Sequence, residues 1–187
     1  MRSPVTFPEV FFPPTDGVGG RAVAVALGTL GLALASFVSV PMVPVPVTMQ
    51  TFAVTLVGAL FGWRLGGFTV LAWLLEAAAG APVLAGGASG LHNFVGPTAG
   101  YLWGFPVVAV IVGLLVERGW GGARPMRALF TMLIGNLLCL ALGAAWLVPL
   151  MGASAAVAAG VTPFLLGGAL KSALGAAVLR SLSPRRG

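Results

Sequence analysis

The chain has 187 residues, 58% of them hydrophobic and only 7% charged, with a mean hydropathy of +1.04. A water-soluble domain of this size needs a charged exterior, so the composition excludes a soluble fold and makes lipid the solvent. A net charge of +6 would suggest nucleic acid in a soluble protein, but here the arginines stand beside the ends of apolar segments, where they read as orientation signals and contacts to anionic headgroups.

Residues 1–20 carry Phe7, Phe11, Phe12 and four prolines and lack the short apolar core of a cleavable signal. They are expected to form a cytoplasmic leader, with insertion driven by the first spanning helix. Six apolar segments follow, at 22–40, 47–62, 65–80, 98–116, 128–150 and 163–179. In the first, Ala22 and Ala26 fall on one stripe and Ala24, Gly28, Gly31 and Ala35 on another. Small residues three or four apart let a second helix approach closely, either within the bundle or as a docking face for another membrane subunit.

The connection 41–46, with prolines at 41, 44 and 46, forbids helix and favours a stiff, extended segment able to cover a cavity. The second and third segments are short for a span of ~20 residues, and Gly62, Gly66, Gly67 and Gly80 punctuate them, so one is expected to be tilted, broken or shielded. The stretch 86–101 gathers five glycines with Ser89, His92, Asn93, Thr98 and Tyr101, the composition of a small-molecule binding loop. Its connection, 81–97, is longer than a helical hairpin needs. Trp63, Trp103, Trp120 and Trp146 lie near segment ends and read as interface anchors. The single cysteine, Cys139, lies in an apolar run and reads as a small core residue.

The basic residues set the topology. Arg2 and Arg21 precede the first segment, Arg64 joins the second and third, Arg118, Arg124 and Arg127 join the fourth and fifth, and Arg180, Arg185 and Arg186 follow the sixth. The connections 41–46, 81–97 and 151–162 carry no Lys or Arg. The positive-inside rule therefore places both termini in the cytoplasm and the three uncharged connections outside. The expected architecture is an all-α integral membrane protein of the cytoplasmic membrane: a leader at 1–20, a bundle of six transmembrane helices at 21–180, and a basic cytoplasmic tail at 181–187.

Two ionisable groups stand at membrane depth. Lys171 lies eight residues past Pro163, about 12 Å below the outer end of its helix at 1.5 Å per residue, and Glu76 lies about 6 Å from the outer end of the third segment. Burying the lysine's charge costs on the order of 2.5–3.5 kcal/mol. Two readings stay open: a Glu76–Lys171 pair that stitches two helices together, or a lysine that holds an anionic ligand group with Glu76 orienting it or meeting polar hydrogens.

Catalysis finds little support. The chain has no phosphate-cradling G-x-x-x-x-G-K-[ST] sequence, no pair of carboxylates within a segment and one histidine, His92. A Ser89–His92 couple would have no acid beside it. A carrier driven by protons would show more buried acids or an inverted repeat.

Four stretches resemble the signatures of one family: VPVPVTMQTFAV at 43–54, LEAAAGAPVLAGG at 75–87, GPTAGYLWGF at 96–105 and PFLLGGALK at 163–171. In this order, spread over about 41–177, they are similar to BioY, the biotin-binding S-component of energy-coupling factor transporters. The resemblance implies a six-helix subunit that is not itself an enzyme, needs no cofactor of its own, and binds biotin near the outer surface. Its implied partners are a transmembrane coupling subunit and two cytoplasmic ATPases. On this view Lys171 meets a ligand acceptor, Asn93 and Tyr101 supply hydrogen bonds, Phe52 and Trp73 wall the bicyclic ring, and Gly86 and Gly87 bring loop backbone close. Glu76 would accept from the ureido N–H groups, as would Asn93 or the loop backbone, because the family's common acid three positions before the lysine is here Gly168. Ala22, Ala26, Ala24 and Gly28 would dock the coupling subunit. The alternatives are an assembly subunit without a ligand, or an S-component for another small anionic vitamin.

Overall fold

A computed structural model describes residues 17–183; the expectations for the leader's aromatics, for Arg2 and for Arg185 and Arg186 fall outside them. Six helices account for most of the described residues: α1 (Val18–Phe37), α2 (Gln50–Ala78), α3 (Ala99–Glu117), α4 (Pro125–Met151), α5 (Ala153–Gly160) and α6 (Phe164–Leu182). Five of them, all but α5, are long and apolar enough to cross a membrane. Ala153–Gly160 is a correction, since helix forms where a plain connection was expected; Gly152 (φ 84°) supplies the left-handed break between α4 and α5.

The expected second and third segments are the two halves of α2. They meet at Gly62, whose φ of 74° and ψ of 175° no helix contains. The chain turns back there: a Cβ at Gly66 would lie 2.9 Å from Gly58 Cα, a distance that residues eight apart in one straight helix never reach. The N–H of Trp63, freed at the start of the second half, donates to Glu117 Oε1 at 3.2 Å. A carboxylate at a helix N-terminus also meets the positive end of the helix dipole.

This reversal gives the bundle two distinct ends. At one, Phe37, the strands β1 (Ser39–Val40) and β2 (Val47–Thr48), the start and end of α2, and the connection 81–97 come together. Ser39 pairs with Thr48 and Val40 with Val47, closing the proline-rich segment as an antiparallel hairpin. The N–H of Gly90 donates to Ala77 O at 2.7 Å, and Phe37 packs near Gly87. At the other end lie Gly62–Arg64, the C-terminus of α3, and Gly122, which faces Leu179 of α6 and Ser183 just beyond it. The described arginine-bearing connections thus share one end and the uncharged ones the other, as the charge pattern predicted. Arg21, Arg64, Arg118, Arg124, Arg127 and Arg180 are all exposed.

Helix α3 is the axis of the fold. Its most apolar window is 61% buried, against 28% for α1 and α6. Glycine makes that density possible, because Gly58 rests on the backbone of Ala109 and Gly113 on that of Gly62 and Trp63, where a Cβ would collide. Outward-facing Leu27, Leu30, Leu34, Phe68, Leu75 and Leu170 are exposed, the pattern expected of helices whose solvent is hydrocarbon. The coarse architecture is therefore that of a multi-pass membrane protein.

Candidate functional site

A cavity of about 220 Å³ opens between α3, α4, α6 and the start of α2, roofed by two of the three uncharged connections, 41–46 and 81–97. Val45 and Pro46 come from the proline-rich hairpin, and Leu84, Ala85, Ala88 and Asn93 from the segment after α2. Leu102, Phe105, Leu140 and Phe164 make its walls apolar, and its polar groups are few: Thr48, Gln50, Thr51, Asn93, Thr98, Tyr101, Asn136 and Lys171. Few polar groups in an apolar concavity is the usual design of a small-molecule site, in which the polar atoms set orientation.

Among the described residues, Lys171 is the one charged side chain in the lining. Its Nζ donates to Thr48 O at 2.6 Å and to Thr51 Oγ1 at 3.2 Å. The Thr48 carbonyl is available because it precedes the first turn of α2, so the start of one helix receives the cation of another. These bonds are held from behind. Thr48 Oγ1 donates to Gln50 Oε1 (3.0 Å), Gln50 Nε2 donates to Ser36 Oγ (3.1 Å), and Ser36 Oγ donates to Leu32 O (2.7 Å). A continuous chain of hydrogen bonds runs from α1 to the lysine. Two of the three ammonium protons are used, and the third meets no acceptor among the described residues.

The Glu76–Lys171 pair does not form. Trp73 and Ala77, four apart, face the core, and this phase turns Glu76 outward beside exposed Leu75. Glu76 therefore neither neutralises the lysine nor reaches the cavity, which corrects both roles expected of it. A half-buried cation without a carboxylate partner among the described residues is a marker of function at membrane depth.

The other expected site residues divide. Asn93 lines the cavity while its Nδ2 donates to Ser89 O (2.8 Å) and Gly90 O (3.2 Å), bracing the loop that carries it. Tyr101 lines it too, but its hydroxyl donates to Gly160 O at 2.6 Å, so toward a ligand the phenolic oxygen can only accept. Gly143 gives the ring its place: a Cβ there would overlap the phenol. Trp73 is fully buried one layer behind, its indole donating to Val83 O (3.1 Å) and its ring 5.9 Å from that of Phe105. Phe105 and Phe164 thus supply the aromatic wall that Trp73 and Phe52 were expected to form, and Phe52 does not line the cavity. Gly86 and Gly87 adopt positive φ, 64° and 78°, but shape the loop rather than bring its backbone to the cavity, whose wall there is Ala85 and Ala88.

On α1 the two stripes separate. Ala24 and Gly28 are buried, with Gly28 against Thr69 and Phe61, so these two pack internally and do not dock a partner. Ala22 and Ala26 are exposed. Two of the expected interface tryptophans have a further task, since Trp103 donates to Phe94 O (3.2 Å) and Trp146 to Gly96 O (3.0 Å), tying the cavity's roof to α3 and α4.

Gln50 and Asn136 were missed in the sequence because each is a lone amide in an apolar run. The signal was the cost of burying an amide without a partner, which makes any polar residue on an inward helix face a candidate.

The sequence matches the BioY family over residues 15–187. It is 36% identical over 156 residues to a probable biotin transporter BioY of Pyrococcus horikoshii, covering 82% of this chain and 91% of that protein. It is 35% identical over 169 residues to the biotin transporter BioY2 of Lactococcus lactis, covering 85% and 90%. The fold is that of a crystal structure of the S-component for biotin from an ECF-type ABC transporter, with a TM-score of 0.78 at 24% identity over 87% of this chain and 89% of that one.

Proposed function

Because the chain belongs to the BioY family, we propose that it is the biotin-binding S-component of an energy-coupling factor importer, which captures biotin from the outer face of the cytoplasmic membrane. The observation that carries this reading is Lys171 at the cavity with its charge held by neutral oxygens and a proton to spare. Biotin is an anion with a polar ureido ring, a thioether ring and an aliphatic tail. Leu102, Phe105, Leu140 and Phe164 suit the apolar parts, and the ammonium suits either the carboxylate or the ureido oxygen. No carboxylate among the described residues lines the cavity, which favours an anionic or neutral ligand over a cationic one.

The two halves of α2 each cross the bilayer with help from their neighbours, making six crossings, and the arginine-bearing end faces the cytoplasm together with both termini, the leader 1–20 and the tail 181–187. The cavity then opens outward. Exposed Ala22 and Ala26 offer α1 to a transmembrane coupling subunit, and two ATPases supply the energy. The test of the ligand is equilibrium binding of labelled biotin to the purified full chain in detergent. Saturable binding at one site per chain supports the reading; no binding in excess of that to an unrelated membrane protein sinks it.

A further inference from the structure

The cavity holds an amide whose orientation its neighbours decide. Asn136, on α4 and 5% exposed, donates through Nδ2 to Met132 O and to Ser172 Oγ, each at 3.0 Å. Ser172 Oγ spends its own single proton on Gly168 O at 2.7 Å. A main-chain carbonyl only accepts, and a hydroxyl whose proton is already given can only accept from Asn136. Turning the amide over would set its oxygen against two acceptors, so both amide protons are committed and Oδ1 is fixed on the other side. That oxygen receives no hydrogen bond from the protein among the described residues, yet no buried side-chain oxygen is left sealed and unsatisfied. Asn136 lines the cavity, so the cavity is what Oδ1 opens to. Gly168 stands beside this oxygen without crowding it: a Cβ added there would lie 3.8 Å from Asn136 Cβ and 4.0 Å from its Oδ1, an ordinary contact.

We propose that Asn136, positioned by Ser172, is a specificity-determining residue whose Oδ1 accepts a hydrogen bond from a neutral N–H of the ligand, which on the biotin reading it rests upon is one of the two ureido N–H groups. The amide oxygen carries no net charge, so it selects a donor without adding a carboxylate that would pair with Lys171. A cavity with a cation on α6 and a fixed acceptor on α4 suits a cyclic urea, which presents one strong acceptor and two donors in a single plane. Ligands of the same shape without the donor leave Oδ1 buried and unpaired.

The test compares biotin with two carbamate analogues, in each of which one ureido N–H is replaced by oxygen, on the purified full chain, Asn136→Leu and Ser172→Ala. The unmodified chain should bind one analogue about ten-fold or more weaker than biotin, the penalty of an unpaired buried acceptor. Asn136→Leu should bind biotin weaker by about the same factor and lose its preference over that analogue, so that the two changes fail to add. Ser172→Ala keeps Asn136 but frees one amide proton, and should narrow the preference. Asn136→Leu with biotin affinity within about two-fold of the parent, or with the preference intact, overturns the proposal. Should Asn136→Leu fail to fold, a preference unchanged in Ser172→Ala overturns it equally. A parent chain that binds no biotin sinks the underlying reading instead, an outcome distinct from biotin binding that is indifferent to Asn136.

Discussion

The two ends of this bundle are closed differently. At the arginine-bearing end glycine removes side chains so that backbones touch, Gly113 on Trp63 and Gly122 on Leu179. At the other end a proline-rich hairpin and a loop held by indole and amide hydrogen bonds fold over the helices, and a cavity remains beneath them. A membrane bundle cannot rely on the hydrophobic effect to press its helices together, so tight association comes from small residues and from interhelical hydrogen bonds. Here backbone contact at glycine closes the arginine-bearing end, while a hydrogen-bonded cover lies over the end that keeps a cavity.

The comparison breaks most severely at the closed end. Gly113→Leu would drive a side chain into the backbone at Gly62 and Trp63 and should cost about 3 kcal/mol, at the upper end for overpacking, seen as a large fall in thermal unfolding temperature in detergent. Gly167→Leu, on α6 with nothing near its Cα, should change that temperature little. Equal effects would mean the glycine contacts do not hold the closed end.

Next is the hydrogen-bonded end. Gln50→Leu cuts the chain from Ser36 to Thr48 and leaves buried hydroxyls short of a partner, so biotin affinity should fall by about 1–2 kcal/mol, or roughly five- to thirty-fold. Stability should fall less than in Gly113→Leu, and a titration beside a melting curve separates the two. Unchanged affinity would detach the α1 end of that network from the site.

Much of this division was legible in the chain. Arginine placement predicted which connections share an end, proline spacing predicted the stiff cover, and a lysine in an apolar run pointed to the cavity. What failed was phase and partnership. Glu76 and Lys171 have compatible depths, but depth says nothing about azimuth, and Trp73 and Ala77 claim the inward face. Asn136 is apparent only once Ser172 stands opposite it, a contact between residues 36 apart that no local pattern encodes. The reversal at Gly62 was legible, since Arg64 was read as joining two separate segments, but the contact of Gly58 with Gly66 that closes it was not.

The ends also differ in the side they face. Ser154→Cys should react with an impermeant thiol reagent in intact cells and Ala123→Cys should not, both positions being exposed in the structure. The reverse pattern would invert the orientation. The smallest expected effect is Ala26→Trp, which should leave biotin affinity of the isolated chain within about two-fold while weakening co-purification with the coupling subunit, because a large side chain holds helices apart. Lost biotin binding with assembly intact would place Ala26 in the fold's interior rather than at a docking surface.

The measurement closest to the central claim is biotin affinity of Lys171→Met beside the parent. Methionine fills similar space and removes a buried charge that Thr48 and Thr51 now hold, so the protein should fold. Loss of a charge-assisted hydrogen bond should weaken binding by about 1.5–3 kcal/mol, roughly ten- to more than a hundred-fold. Affinity within about two-fold of the parent, well under the loss expected for such a bond, would contradict the account and take Lys171 out of the binding site.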